Sequence, residues 1–110
     1  MESGFFSCVC DSESGIATVK LKGEIDHHSA QLLRRDIDEA VSRRMPRTLV
    51  LDFSGVSFMD SSGIAVVINA QRCMKQIDGR LELSGIQAQP MRVFQASGVD
   101  KIIQIQEVNV

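Results

Sequence analysis

The sequence predicts an α/β domain, a mixed and mainly parallel β-sheet with helices packed against it, spanning residues 1–110 as one domain. Three observations carry that prediction. Residues 48–53 (Thr-Leu-Val-Leu-Asp-Phe) form a nearly continuous apolar, β-rich run, the pattern of a central strand covered on both faces. Residues 29–44 and 62–77 instead carry apolar side chains at helical spacing. Strand-like and helix-like segments alternate singly after the first turn, which implies right-handed crossovers and parallel pairing. A chain of 110 residues is long enough to bury one core and too short for two.

Residues 5–10 are short and alternate poorly, but residues 16–22 place Ala17, Val19 and Leu21 on one face and Lys20 and Lys22 on the other. The turn-rich stretch 11–15 joins the two as a hairpin. Residues 23–28 are polar and lead into an amphipathic helix over 29–44, with Ala30, Leu33, Ile37, Ala40 and Val41 inward and Arg34, Arg35, Asp38 and Glu39 on a solvated face. Pro46 ends that pattern, because it lacks an N–H and restricts the residue before it. After the strand at 48–53, residues 54–59 read as a connection to the next helix. The first half of that helix is apolar nearly all round, through Ile64, Ala65, Val66, Val67, Ile68 and Ala70, so it is either sandwiched in the core or offers one side to a partner. Asp78-Gly79 is a turn, and residues 80–84 alternate as a half-exposed strand. Pro90 sits in a first helical turn, Met91, Val93 and Phe94 supply its apolar side, and Gly98 stops it. Residues 101–105 close the order β-β-α-β-α-β-α-β as a last strand.

Composition excludes several functions. With 44% hydrophobic and 24% charged residues the chain can fold compactly. A net charge of −2 leaves no basic footprint for a phosphate backbone, so no direct nucleic-acid partner is expected. The longest apolar run, residues 64–68, is far below membrane-spanning length, and residues 1–4 lack a secretory n-region and h-region. No membrane partner and a cytoplasmic location are therefore expected. Cys8, Cys10 and Cys73 are odd in number and lack zinc-ligand spacing, which suits buried reduced thiols. His27 and His28 are adjacent and do not face each other on a helix, so no metal site is expected. Neither G-x-x-x-x-G-K-[ST] nor G-x-G-x-x-G occurs, and no cofactor is expected. Ser61, His27 or His28, and Asp26 or Asp52 could make a hydrolase triad on paper, but the G-x-S-x-G elbow is absent. No residue is assigned a catalytic role.

Two polar clusters remain. Asp60-Ser61-Ser62-Gly63 opens the apolar helix, and a capping Asp or Ser accounts for it structurally, worth about 1 kcal/mol. If Asp60 is the cap, Ser61 falls at the first helical position with its hydroxyl free of an obligatory partner and accessible to a kinase. Gly63 would keep the approach open. The orphan N–H groups and dipole of a helix N-terminus would favour a phosphate there by about 0.3 to 1 kcal/mol, and up to about 2 if partly buried. Asp26-His27-His28-Ser29 is the second cluster, with Asp26 or Ser29 as cap of the first helix.

The segments Gly23-Glu24-Ile25-Asp26-His27-His28-Ser29-Ala30, Val56-Ser57-Phe58-Met59-Asp60-Ser61-Ser62-Gly63, Phe94, Ser97-Gly98 and Lys101-Ile102-Ile103 occur in that order. Together they resemble the STAS domain family, and within it the sporulation-type anti-sigma factor antagonists, over roughly residues 15–105. Ala65 departs from the pattern, since related sequences often carry a second Gly there. The resemblance implies a small mixed sheet with packed helices and a regulator rather than an enzyme. The unphosphorylated form would bind an anti-sigma factor that is also a serine kinase, and so release a sporulation sigma factor. Phosphorylation of Ser61 would end that binding, and a metal-dependent serine phosphatase would restore it. Asp26, Asp60, Ser62 and Gly63 would lie at the partner-binding surface. The alternative within the family is a scaffold or regulatory module of a stress-signalling or transport complex.

Overall fold

A computed structural model describes residues 6–11 and 13–106, with side chains for 13–103. The chain runs β1 (Phe6–Asp11), β2 (Ile16–Ile25), α1 (His27–Arg44), β3 (Thr48–Met59), α2 (Ser62–Gln76), β4 (Arg80–Ser84), α3 (Ala88–Ser97), a 3-10 turn (Val99–Lys101) and β5 (Gln104–Gln106). The described strands lie in one sheet in sequence order. β1 is antiparallel to β2, and every later pairing is parallel. The element order and the mixed, mainly parallel sheet match the prediction.

The core explains why these segments take these forms. Leu49, Leu51 and Phe53 of β3 are fully buried while Thr48, Val50 and Asp52 are half-buried, so this strand has one deeply covered face rather than the two expected. That face meets Val19 and Leu21 of β2, Leu33 and Ile37 of α1, Val66, Val67 and Ala70 of α2, and Phe94 of α3 in one cluster. Phe94 stands edge-on to Phe53 with ring centroids 5.5 Å apart, which fixes α3 against the sheet.

β2 and β3 run further than their hydrophobic pattern suggests. β2 continues through Gly23 and Glu24 to Ile25, and β3 continues through residues 54–58 to Met59. Most of the added residues are exposed, so periodicity carries no trace of them; main-chain pairing holds them instead. Two register shifts, between Lys20 and Lys22 and between Gly23 and Glu24, let β3 accommodate an extra residue each time. At the first of these a side chain on Gly55 would stand 2.7 Å from the Leu21 carbonyl oxygen, so only glycine fits.

Three boundaries also differ. α1 starts at His27 rather than 29, because Asp26 caps it. α2 ends at Gln76, and Asp78 turns the chain with φ of 56°. The last strand begins at Gln104: Gly98 adopts φ of 82° and i→i+3 bonds from Lys101 and Ile102 wind the chain into a 3-10 turn first. Among the described residues no helix is long and apolar enough to cross a membrane.

Candidate functional site

Ile25 and Met59 are the last paired residues of two adjacent parallel strands, so Asp26 and Asp60 follow them side by side at the carboxyl ends. The Asp60 N–H donates to the Ile25 carbonyl at 3.0 Å and locks the two exits together. Each aspartate then opens a helix.

At α1 both candidate caps act at once. The Asp26 carboxylate accepts the Ser29 N–H at 2.9 Å, and the Ser29 hydroxyl oxygen accepts the Asp26 N–H at 3.0 Å, forming a capping box closed by buried Ser29. The Ser29 backbone N–H holds the Asp26 carboxyl below the usual carboxylate range, with the Ser29 hydroxyl and neighbouring His28 adding to this against a partial desolvation. His27 and His28 are exposed, and His27 lies 3.4 Å from Gln31. Among the described residues no three His, Cys, Asp or Glu side chains group as metal ligands.

At α2 the carboxylate of Asp60 accepts the Ser62 N–H at 2.8 Å, and its carbonyl accepts the Gly63 N–H at 3.0 Å. Asp60 therefore serves as the cap. Ser61 already has helical angles, φ −62° and ψ −16°, and its exposed side chain makes no capping hydrogen bond. Two expectations need correction. The N–H groups of Ser62, Gly63 and Ile64 are not open to a phosphate, because they donate to Asp60 or to the Ser61 carbonyl. Gly63 does not hold open the approach to Ser61, nor does it face outward to a partner. It is buried, and a side chain there would stand 2.7 Å from Met59 Sδ, so its role is close packing of α2 on β3. Ser62 is half-buried beside it.

The α2 surface beyond Ser61 is part core and part exposed. Val66, Val67 and Ala70 point inward, whereas Ala65 and Ile68 are exposed and Ile64 is half-buried. Residues 61, 64, 65 and 68 share one helix face. Phe58, 44% exposed at the end of β3, adds an aromatic to the same end of the molecule.

Sequence reasoning missed a clamp beneath this site. The pairing of β4 with β3 stops at Asp52, leaving the later main chain of β3 in need of partners on that side. The Gln89 side-chain amide supplies them: its Oε1 accepts the Met59 N–H at 2.9 Å and its Nε2 donates to the Met59 carbonyl at 3.0 Å. Gln87 likewise donates to the Ser54 carbonyl at 2.8 Å. Between α2 and α3 this leaves an open groove of about 510 Å³, mostly apolar, lined by Ser61, Ile64, Gln89, Arg92, Val93, Ala96 and Ser97.

A second polar feature lies on the opposite side of α2. Asp38, expected on a solvated face, is half-buried and accepts hydrogen bonds from Asn69 Nδ2 at 2.6 Å and from the Cys73 thiol at 3.0 Å. Burial, reinforced by Asp38, pushes the Cys73 thiol up to about 11, which keeps it protonated and unreactive. This ties α1 to α2 and leaves Cys73 a free thiol that is half-buried rather than buried as expected; the side chains of Cys8 and Cys10 lie outside the described residues.

Comparison with known proteins places this geometry among relatives. Residues 9–108 match the STAS domain family. An anti-sigma F factor antagonist of Paenibacillus polymyxa is 35% identical over 97 residues, covering 86% of this chain and 83% of that protein. The unphosphorylated form of the anti-sigma factor antagonist SpoIIAA superposes with a TM-score of 0.81 at 28% identity, covering 94% of this chain and 88% of that one. The phosphorylated form of the Bacillus cell fate determinant SpoIIAA superposes with a TM-score of 0.72 at 28% identity, covering 94% and 91%.

Proposed function

Because this chain belongs to the STAS domain family, we propose that it is an anti-sigma factor antagonist, a binding regulator and not an enzyme, switched by phosphorylation of Ser61. The observation that carries this reading is the exposed hydroxyl of Ser61, left without a capping bond because Asp60 takes the capping role, at the head of an exposed apolar strip. In its unmodified state the surface around Asp26, Asp60, Ser62, Ala65 and Ile68 binds an anti-sigma factor that is also a serine kinase, and a sporulation-type sigma factor is released. The kinase transfers a phosphoryl group from ATP to the Ser61 oxygen and the hydroxyl proton is lost. A serine phosphatase returns the protein to the binding form. Two observations support this scheme: relatives named as anti-sigma factor antagonists, and the existence of a phosphorylated form of one of them.

The energetics are sufficient without a change of fold. Weakening a complex a hundredfold takes about 2.7 kcal/mol. A phosphate of charge about −1.5 to −2, forced into an apolar interface next to Asp60, can exceed that through desolvation and repulsion.

Incubation with ATP and the cognate anti-sigma kinase, followed by mass spectrometric mapping, tests the assignment. Phosphate on Ser61 with concurrent loss of binding is the expected result. Phosphate only on Ser62, or none, contradicts it, and binding to a stress-response assembly with no sigma factor released would favour a scaffold role.

A further inference from the structure

We propose that the phosphate on Ser61 is received within the molecule by Arg92, which bridges α2 to α3 and closes the groove between them. This rests on the reading of Ser61 as the phosphoacceptor. Three observations point to Arg92. The Ser62, Gly63 and Ile64 N–H groups are already occupied, so the helix end offers a phosphate its dipole but not these donors. Ser61 and Arg92 line the same open groove, and Arg92 is the sole charged side chain among the described residues that line it. Arg92 is exposed and, among the described residues, makes no ion pair or side-chain hydrogen bond, so its guanidinium is available.

The chemistry fits a phosphomonoester. A guanidinium presents a planar fork of donors that matches two phosphate oxygens, and its long flexible stem lets it turn towards the mouth of the groove. The carboxylates of Asp60 and of Asp26 at the adjacent strand end repel the phosphate from the other side. Both effects drive the phosphate over the groove towards α3. Ile64, Val93 and Ala96 then lie beneath an ion pair, so the modification covers the apolar groove as well as adding charge.

The test uses the full chain with phosphoserine installed at position 61 during translation, so that it does not depend on any kinase. Phosphorus NMR follows the second ionisation of the phosphate with pH. The expected result is a second pKa lower in the parent than in Arg92→Gln by roughly half a pH unit or more, with Arg92→Lys in between. Arg72→Gln makes the same change of net charge about 16 Å further along α2 and should leave the titration unmoved. Coincident titrations of the parent and Arg92→Gln, or an equal shift from Arg72→Gln, would overturn the proposal. Failure of the kinase to modify Ser61 in the unmodified protein would instead overturn the assignment of the phosphoacceptor, and would do so whatever the phosphorus spectra show.

Discussion

Asp60, and not Ser61, makes the side-chain bond that caps α2. The carboxylate satisfies the helix, so the hydroxyl is left for other chemistry. Gly63 illustrates why residue identity alone misleads: a glycine beside an exposed serine suggests access, but the side chain it lacks would have struck buried Met59. Gly63→Ala should therefore destabilise the fold by about 1 to 3 kcal/mol through overpacking, read as a lower urea midpoint with an unchanged slope. Asp26 gives a pH signature. Its carboxyl is depressed in the native state, so its stabilisation is complete above the ordinary value of 3.8 and is lost as pH falls through the lower native value. Acid titration of stability should show that loss in the parent and not in Asp26→Asn, which can still cap but does not ionise. The Asp38, Asn69 and Cys73 cluster was illegible in the sequence, because its partners stand 31 and 35 residues apart and each reads locally as an ordinary polar position on a helix.

Among the elements, those driven by burial were legible and those driven by pairing were not. α1, α2 and β4 announce themselves through apolar spacing, and Gly98 marks the end of α3 by its left-handed conformation. The outer parts of β2 and β3 are held by each other's main chain, and a polar, exposed sequence carries no record of that. This matters for the site, because it is the extension to Ile25 and Met59 that brings Asp26 and Asp60 together. The same reasoning explains α3's part. Gln89 completes the hydrogen bonding of Met59 from a separation of 30 residues, immediately below the Asp60 turn. Gln89→Leu keeps the volume but leaves two part-buried main-chain groups without those partners, each worth about 1 to 3 kcal/mol. The expected result is a clear loss of denaturant stability, together with faster amide exchange at Met59 and Asp60 than at the α1 cap.

At the scale of the whole molecule, a sheet with its helices presents one end where two helix starts, an exposed serine, an apolar strip and an arginine-lined groove converge. Such a surface can change its affinity for a partner by local electrostatics while the fold stays as it is. The order of elements and the capping of α2 by Asp60 with Ser61 exposed beside it were readable in advance; Arg92 across the groove was not, since it depends on how separate helices meet. The central claim is that the Ser61 side chain sets partner affinity, and calorimetry with the cognate anti-sigma factor addresses it most directly. The parent and Ser61→Ala should bind equally well, and Ser61→Asp at least tenfold more weakly, about 1.4 kcal/mol. Equal affinity of Ser61→Ala and Ser61→Asp would contradict it.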